Sequence, residues 1–227
     1  LNTFAKLNKQ AGISTETLTE LNDLTYLNQG TLEDTTKEFT GQLALLSGQT
    51  GQALNLKQLQ EGIKDVSAAV KLNFGGSTAA IAEAVFKAKA LGLELKDLES
   101  ISSSLLNFQS SIEDELQAEL LTGRQLNLEG ARYAALIGNQ GMLAEELANN
   151  IGTAADFTGM NVIAQDALAK SLGMSRNELA ETLIQQERLN KLNAEGTTLQ
   201  ERYNNLRKEG RSEAEIANML ADESLAK

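Results

Sequence analysis

An all-α fold, with helices of mixed length joined at glycines, is the architecture this sequence predicts, and three observations predict it. Proline is absent from all 227 residues, where the ~5% background usage would supply about ten. No helix is therefore interrupted by a missing backbone donor. Glycine, with 18 residues, is left to punctuate the chain. The hydrophobic share of 41% includes only 4% aromatics and no tryptophan. Such a core is made of Leu, Ile and Ala, which suit packed helices better than sheets.

The elements follow from caps and apolar spacing. Leu1–Ala11 reads as a helix stopped by Gly12. Thr17 and Glu20 have the spacing of a capping box, in a leucine-rich stretch that ends at Gly30. Thr31 caps a helix running to about Leu46. Gly48, Gly51 and Gly62 then divide a glutamine-rich, weakly amphipathic region. Ser77, after Gly75-Gly76, opens an alanine-rich helix closed by Gly92.

The strongest periodic signal comes next. Leu98, Ile101, Leu105, Phe108, Ile112, Leu116 and Leu120 advance by three or four residues each time. They predict one long amphipathic helix near 95–122, about 40 Å in length, ended by Gly123. Its apolar stripe is either an intramolecular core face or an intermolecular seam, and those seven residues are the candidate interaction site.

Shorter helices follow, at Leu128–Ile137, Met142–Asn150 and Val162–Leu172. Ser175 with Glu178 opens a longer one to about Glu195. Thr198 with Glu201, and Ser212 with Glu215, open two more. The chain divides into 1–74, a packed module at 75–185, and C-terminal helices at 186–227. Every arginine lies from Arg124 onward, which supports a change of character near residue 123.

Composition also narrows the chemistry. With no Cys and no His, the chain has no thiol nucleophile, imidazole base, zinc finger or disulfide. It carries no phosphate loop and no dinucleotide fingerprint. The expectation is a non-enzyme with no catalytic residue, cofactor or metal. Glu113-Asp114-Glu115 and Glu145-Glu146 are acidic runs, but adjacent helical carboxylates point apart, whereas calcium needs six to eight convergent oxygens. The net charge of −11 argues against a DNA binder, which needs a basic stripe. The longest apolar run, Tyr133–Ile137, is far below the ~20 residues that span a bilayer. No membrane segment is expected.

Residues 167–183, ALAKSLGMSRNELAETL, have a helix-turn-helix outline with Gly173 in the turn and Ser175 as cap. Arg176 and Asn177 suit a recognition helix; Glu178 and Glu181 oppose it. The plainer reading is a hairpin packing Leu168, Leu172, Leu179 and Leu183. No specific nucleic-acid partner is expected.

Three stretches resemble tape measure proteins of long-tailed bacteriophages: LNFGGSTAAIAEAVFKAKALGLELKDLE (72–99), LLNFQSSIEDELQAELLTGRQLNLEGARYAALIGN (105–139) and MNVIAQDALAKSLGMSRNELAETL (160–183). The family's members are long helical chains that fill the tail lumen, set tail length during assembly and leave during genome delivery. The resemblance implies a structural segment with copies of itself, the tail tube and distal tail or baseplate proteins as partners. Its location would be the virion tail, and the host cytoplasm during assembly. The chain begins at Leu1 and not at Met, which suits a piece of a longer protein. A different class of function, a cytoplasmic helical adaptor or regulator using the 160–183 hairpin, competes with this reading.

Overall fold

The computed structural model describes residues 2–52, 54–64, 66–193 and 198–225. Among these the chain forms fifteen α-helices and no strand. The all-α class is what the absence of proline and the Leu/Ala core predict.

The first helices, α1 (Asn2–Ala11) and α2 (Thr15–Asn28), meet at Gly12, whose φ of 66 only glycine adopts freely. The cap of α2 differs from the expected one. Ser14, not Thr17, is the N-cap, and its hydroxyl accepts from Thr17 N. Thr17 is fully buried instead, and Glu20 serves an ion pair with Lys71. A capping box is a local pattern, and the true cap lay three residues upstream.

Helix α3 (Leu32–Thr50) is capped by Thr31, as expected, but runs through Gly41 and Gly48 to a left-handed Gly51. Both interior glycines are seats for other helices. A Cβ on Gly48 would lie 2.7 Å from Tyr203 Cβ in α14 (Thr198–Lys208). Gly41 abuts Ala217 in α15 (Glu213–Leu225) in the same manner. The helical ladder therefore tolerates these glycines for the close approach they permit.

Short helices α4 (Leu56–Glu61) and α5 (Ala68–Asn73) lead into α6 (Thr78–Ala90), which is capped by Ser77. Helix α6 packs between α3 and α10 (Gln140–Ile151) through Ile81, Ala84, Val85 and Ala88, all buried. Its alanines let the neighbours approach.

The stripe of 98–120 is not one helix. It forms α7 (Leu95–Leu105) and α8 (Phe108–Thr122), broken at Leu106-Asn107. The physical reason is visible on both sides. Leu98, Ile101 and Leu105 are 0%, 3% and 1% exposed, so α7 is held by the core. Helix α8 instead turns Ser111 and Ala118 inward and packs on α12 (Val162–Ser171), itself lined by Ala164 and Ala167. A straight helix cannot satisfy both faces, so the chain bends where three serines have weakened helix propensity.

Gly123 ends α8 in the left-handed region. Helices α9 (Glu129–Leu136) and α10 follow the expected spans closely. Between α10 and α12 lies α11 (Ala154–Gly159), which the apolar spacing missed; Thr153 and Asp156 form its capping box. Helix α13 (Arg176–Asn193) begins at the Ser175–Glu178 box, with Ser175 N donating to Glu178 Oε2 at 2.7 Å. The expected end near Glu195 and the residue before Thr198 lie outside the described residues. The Ser212–Glu215 box opens α15.

One core cluster runs from Leu21 to Leu183 and draws on α2 to α10, α12 and α13. A satellite cluster joins Ala44 and Leu45 of α3 to Leu206, Ile216 and Leu220. Helix α3 thus serves both.

Candidate interaction surface

The seven candidate residues divide at the α7–α8 break. Leu98, Ile101 and Leu105 belong to the chain's own core and present nothing to a partner. Phe108, Ile112, Leu116 and Leu120 are 44%, 45%, 60% and 84% exposed. These four recur every four residues, which sets them in one row along α8. The stripe is therefore half core and half surface.

What turns the row outward is the packing of the opposite side of α8. Asp114 pairs with Lys170 of α12 at 2.8 Å. Glu115 pairs with Arg132 of α9 at 2.7 Å and also accepts Leu128 N at 3.0 Å. Arg132 donates in addition to Ser111 Oγ at 3.3 Å. Both members of the Arg132–Glu115 pair are nearly buried, with side chains 10% and 12% exposed. These bonds tie Leu128 and Arg132, at the start of α9, to the middle of α8. Tyr133 and Leu136 of α9, and Ile137 just past its end, are exposed.

The acidic runs diverge as their helical spacing requires. Within Glu113–Glu115, Asp114 faces α12, Glu115 faces α9 and Glu113 lies exposed. Glu145 pairs with Lys87, while the Glu146 carboxylate lies against Gly130. Among the described residues, no group of three or more metal-ligating side chains comes together.

A cleft of about 560 Å³ opens between α4, the α6–α7 turn and α13. Its charged residues are already coupled: Lys64 to Glu61 at 3.7 Å, Lys89 to Glu94 at 3.0 Å and Lys96 to Glu94 at 3.3 Å. Burial raises the Glu94 pKa, but the two lysines outweigh it and hold the carboxyl below its ordinary 4.5. Glu94 is thus a fixed anion.

The 160–183 hairpin packs as the plain reading has it. Leu168, Leu172, Leu179 and Leu183 are all 2% exposed or less. At the front of α13, Arg176, Asn177 and Glu181 are exposed, and Asn177 donates to Glu181. Backbone and hydroxyl bonds from Ser175 lower the Glu178 pKa, so this residue stays charged where DNA phosphate would lie. Gly75, Gly76 and Gly138 all have positive φ at helix ends. Gly76 and Gly138 are also pressed against Leu27 and Asn73. They are turn glycines.

Sequence spacing found the row on α8 but not which way it faces. The Arg132–Glu115 clamp had no sequence signal, because its partners are 17 residues apart on different helices.

The fold places the protein in the all-α class. Compared with known proteins, no family model, no curated protein and no solved structure matches the chain. Among the described residues, no helix is long and apolar enough to cross a membrane.

Proposed function

We propose that this chain is a non-enzymatic structural segment of a phage tail tape measure protein, and specifically an assembly module rather than the ruler. The resemblance of residues 72–99, 105–139 and 160–183 to that family motivates the proposal. One observation carries the second half of it: the three stretches fold back on one another. They supply α6, the two ends of α7, α8, α9, α12 and the start of α13, and most of their buried apolar residues belong to one core cluster.

A ruler must convert residues to length. Fully helical, 227 residues would reach roughly 340 Å at ~1.5 Å each. A chain folded back into many short packed helices does not shorten in proportion to residues deleted. What a folded module offers is surface. The partners this reading implies are further copies, the tail tube and distal tail proteins, inside the virion tail. The net charge of −11 suits a lumen that DNA must traverse, since like charge lets the duplex pass without being gripped.

The test is an in-frame deletion of residues 98–185 in the phage that encodes the chain, with tails examined by electron microscopy. Failed or misdirected tail assembly is the expected result. Infectious particles whose tails are shorter by the helical length of the deleted residues would make the segment itself the ruler. Normal tails of normal length would remove it from tail assembly altogether.

A further inference from the structure

The row on α8 has a charge environment that selects what covers it. Helix α8 contains Glu113, Asp114, Glu115 and Glu119 and no lysine or arginine. Asp114 and Glu115 are neutralised by Lys170 and Arg132. Among the described residues, neither Glu113 nor Glu119 stands in an ion pair; Glu113 accepts from Gln109, and Glu119 accepts from Leu126 N. With about 100° between successive residues, Glu113 lies on one flank of the Phe108–Leu120 row and Glu119 on the other. The surface is thus an apolar ridge about 18 Å long bordered by two carboxylates outside any ion pair, Glu113 lying near enough to Lys170 to feel its charge.

We propose that this ridge docks an amphipathic helix of a partner protein whose apolar stripe is flanked by lysine or arginine. Four side chains at i, i+4, i+8 and i+12 are the pattern by which one helix seats another. The flanking carboxylates supply the charge complementarity that orients such a helix and speeds its encounter. A second copy of this chain fits less well, because pairing two α8 helices gathers their unpaired carboxylates on chains that each carry −11. An anionic lipid surface meets the same repulsion. The proposal concerns α8 alone and stands apart from the tail reading.

The experiment uses the full chain and two fluorescein-labelled 18-residue helical peptides with the same leucine stripe, one flanked by lysines and one by glutamates. Fluorescence anisotropy at physiological salt should show the lysine peptide binding at least tenfold more tightly. Leu116→Glu with Leu120→Glu should weaken that binding at least tenfold, with the circular dichroism spectrum unchanged because both side chains are exposed. This variant is more acidic than the parent, so attraction by charge alone would strengthen binding and overturn the proposal. Glu113→Lys with Gln117→Lys should shift preference toward the glutamate peptide. Binding of neither peptide would overturn it. So would a dimer in sedimentation equilibrium that Leu116→Glu dissolves, which would assign the ridge to a second copy.

Discussion

A Cβ on residue 41 would stand 2.7 Å from the carbonyl oxygen of Ala217, so α3 and α15 touch through the bare backbone of Gly41. The same device recurs two turns on, at Gly48 against Tyr203. These contacts, and not helix propensity, explain two glycines in the middle of a 19-residue helix.

Gly41→Ala and Gly48→Ala should therefore each destabilise the protein by about 1–2 kcal/mol, the ~1–3 kcal/mol of overpacking outweighing the ~1 kcal/mol gained in propensity. Gly159→Ala is the control: a Cβ there would meet nothing within 4 Å beyond its chain neighbours and its own helix backbone, and it should be neutral or stabilising. Thermal unfolding of the three variants decides it; stabilisation at 41 and 48 would show that α14 and α15 do not sit on α3.

The break between α7 and α8 gives opposite outcomes to similar substitutions. Leu105→Ala removes a side chain that is 1% exposed and should cost about 2–5 kcal/mol. Leu120→Ala alters one that is 84% exposed and should stay within about 0.5 kcal/mol. Urea titration of the two variants tests this, and equal losses would mean that one continuous buried stripe exists after all.

Lys71 ties α5 to α2 by pairing with Glu20 and, at 2.9 Å, with Asp23, its own side chain only 9% exposed. Burial lowers its pKa, but the hydrogen bonds and charges of Glu20 and Asp23 outweigh this and raise it above the ordinary 10.5. A raised lysine contributes stability that is complete below the unfolded pKa and is lost as pH rises through the folded one. Lys71→Met should cost about 1–2 kcal/mol at pH 7, because it leaves Glu20 and Asp23 without their cation, though the Asp23 side chain, 54% exposed, keeps its hydration. Above about pH 10.5 the gap between variant and parent should close. A gap that persists unchanged into the alkaline range would show that packing, and not charge, makes the contribution.

Sequence-specific DNA binding should be absent. Glu178 and Glu181 occupy the front of α13, and Glu178 is fixed as an anion by Ser175. A gel-shift titration at physiological salt should give no preference between one duplex and its scrambled counterpart. A sub-micromolar selective shift would reinstate the recognition-helix reading.

Four local cap signals and four glycine stops in the sequence match the structure, whereas the Thr17–Glu20 spacing does not, since Ser14 caps α2. Thr31, Ser77, Ser175 and Ser212 cap helices because a hydroxyl needs only the next turn as its partner. Gly92, Gly123, Gly138 and Gly173 end helices because positive φ is a property of one residue. The row on α8 was visible as spacing alone.

What the sequence by itself determined is therefore the class and the punctuation: all-helical, glycine-jointed, acidic, with its apolar residues at helical spacing. Only the tertiary structure decided that Gly41 and Gly48 are seats and not stops, since that depends on α14 and α15, far along the chain. Only the tertiary structure divided Leu98–Leu120 into a buried and an exposed half. Periodicity records that side chains share a face; which face is covered depends on whether another helix, here α12 with its small residues, makes the closer fit on the opposite side.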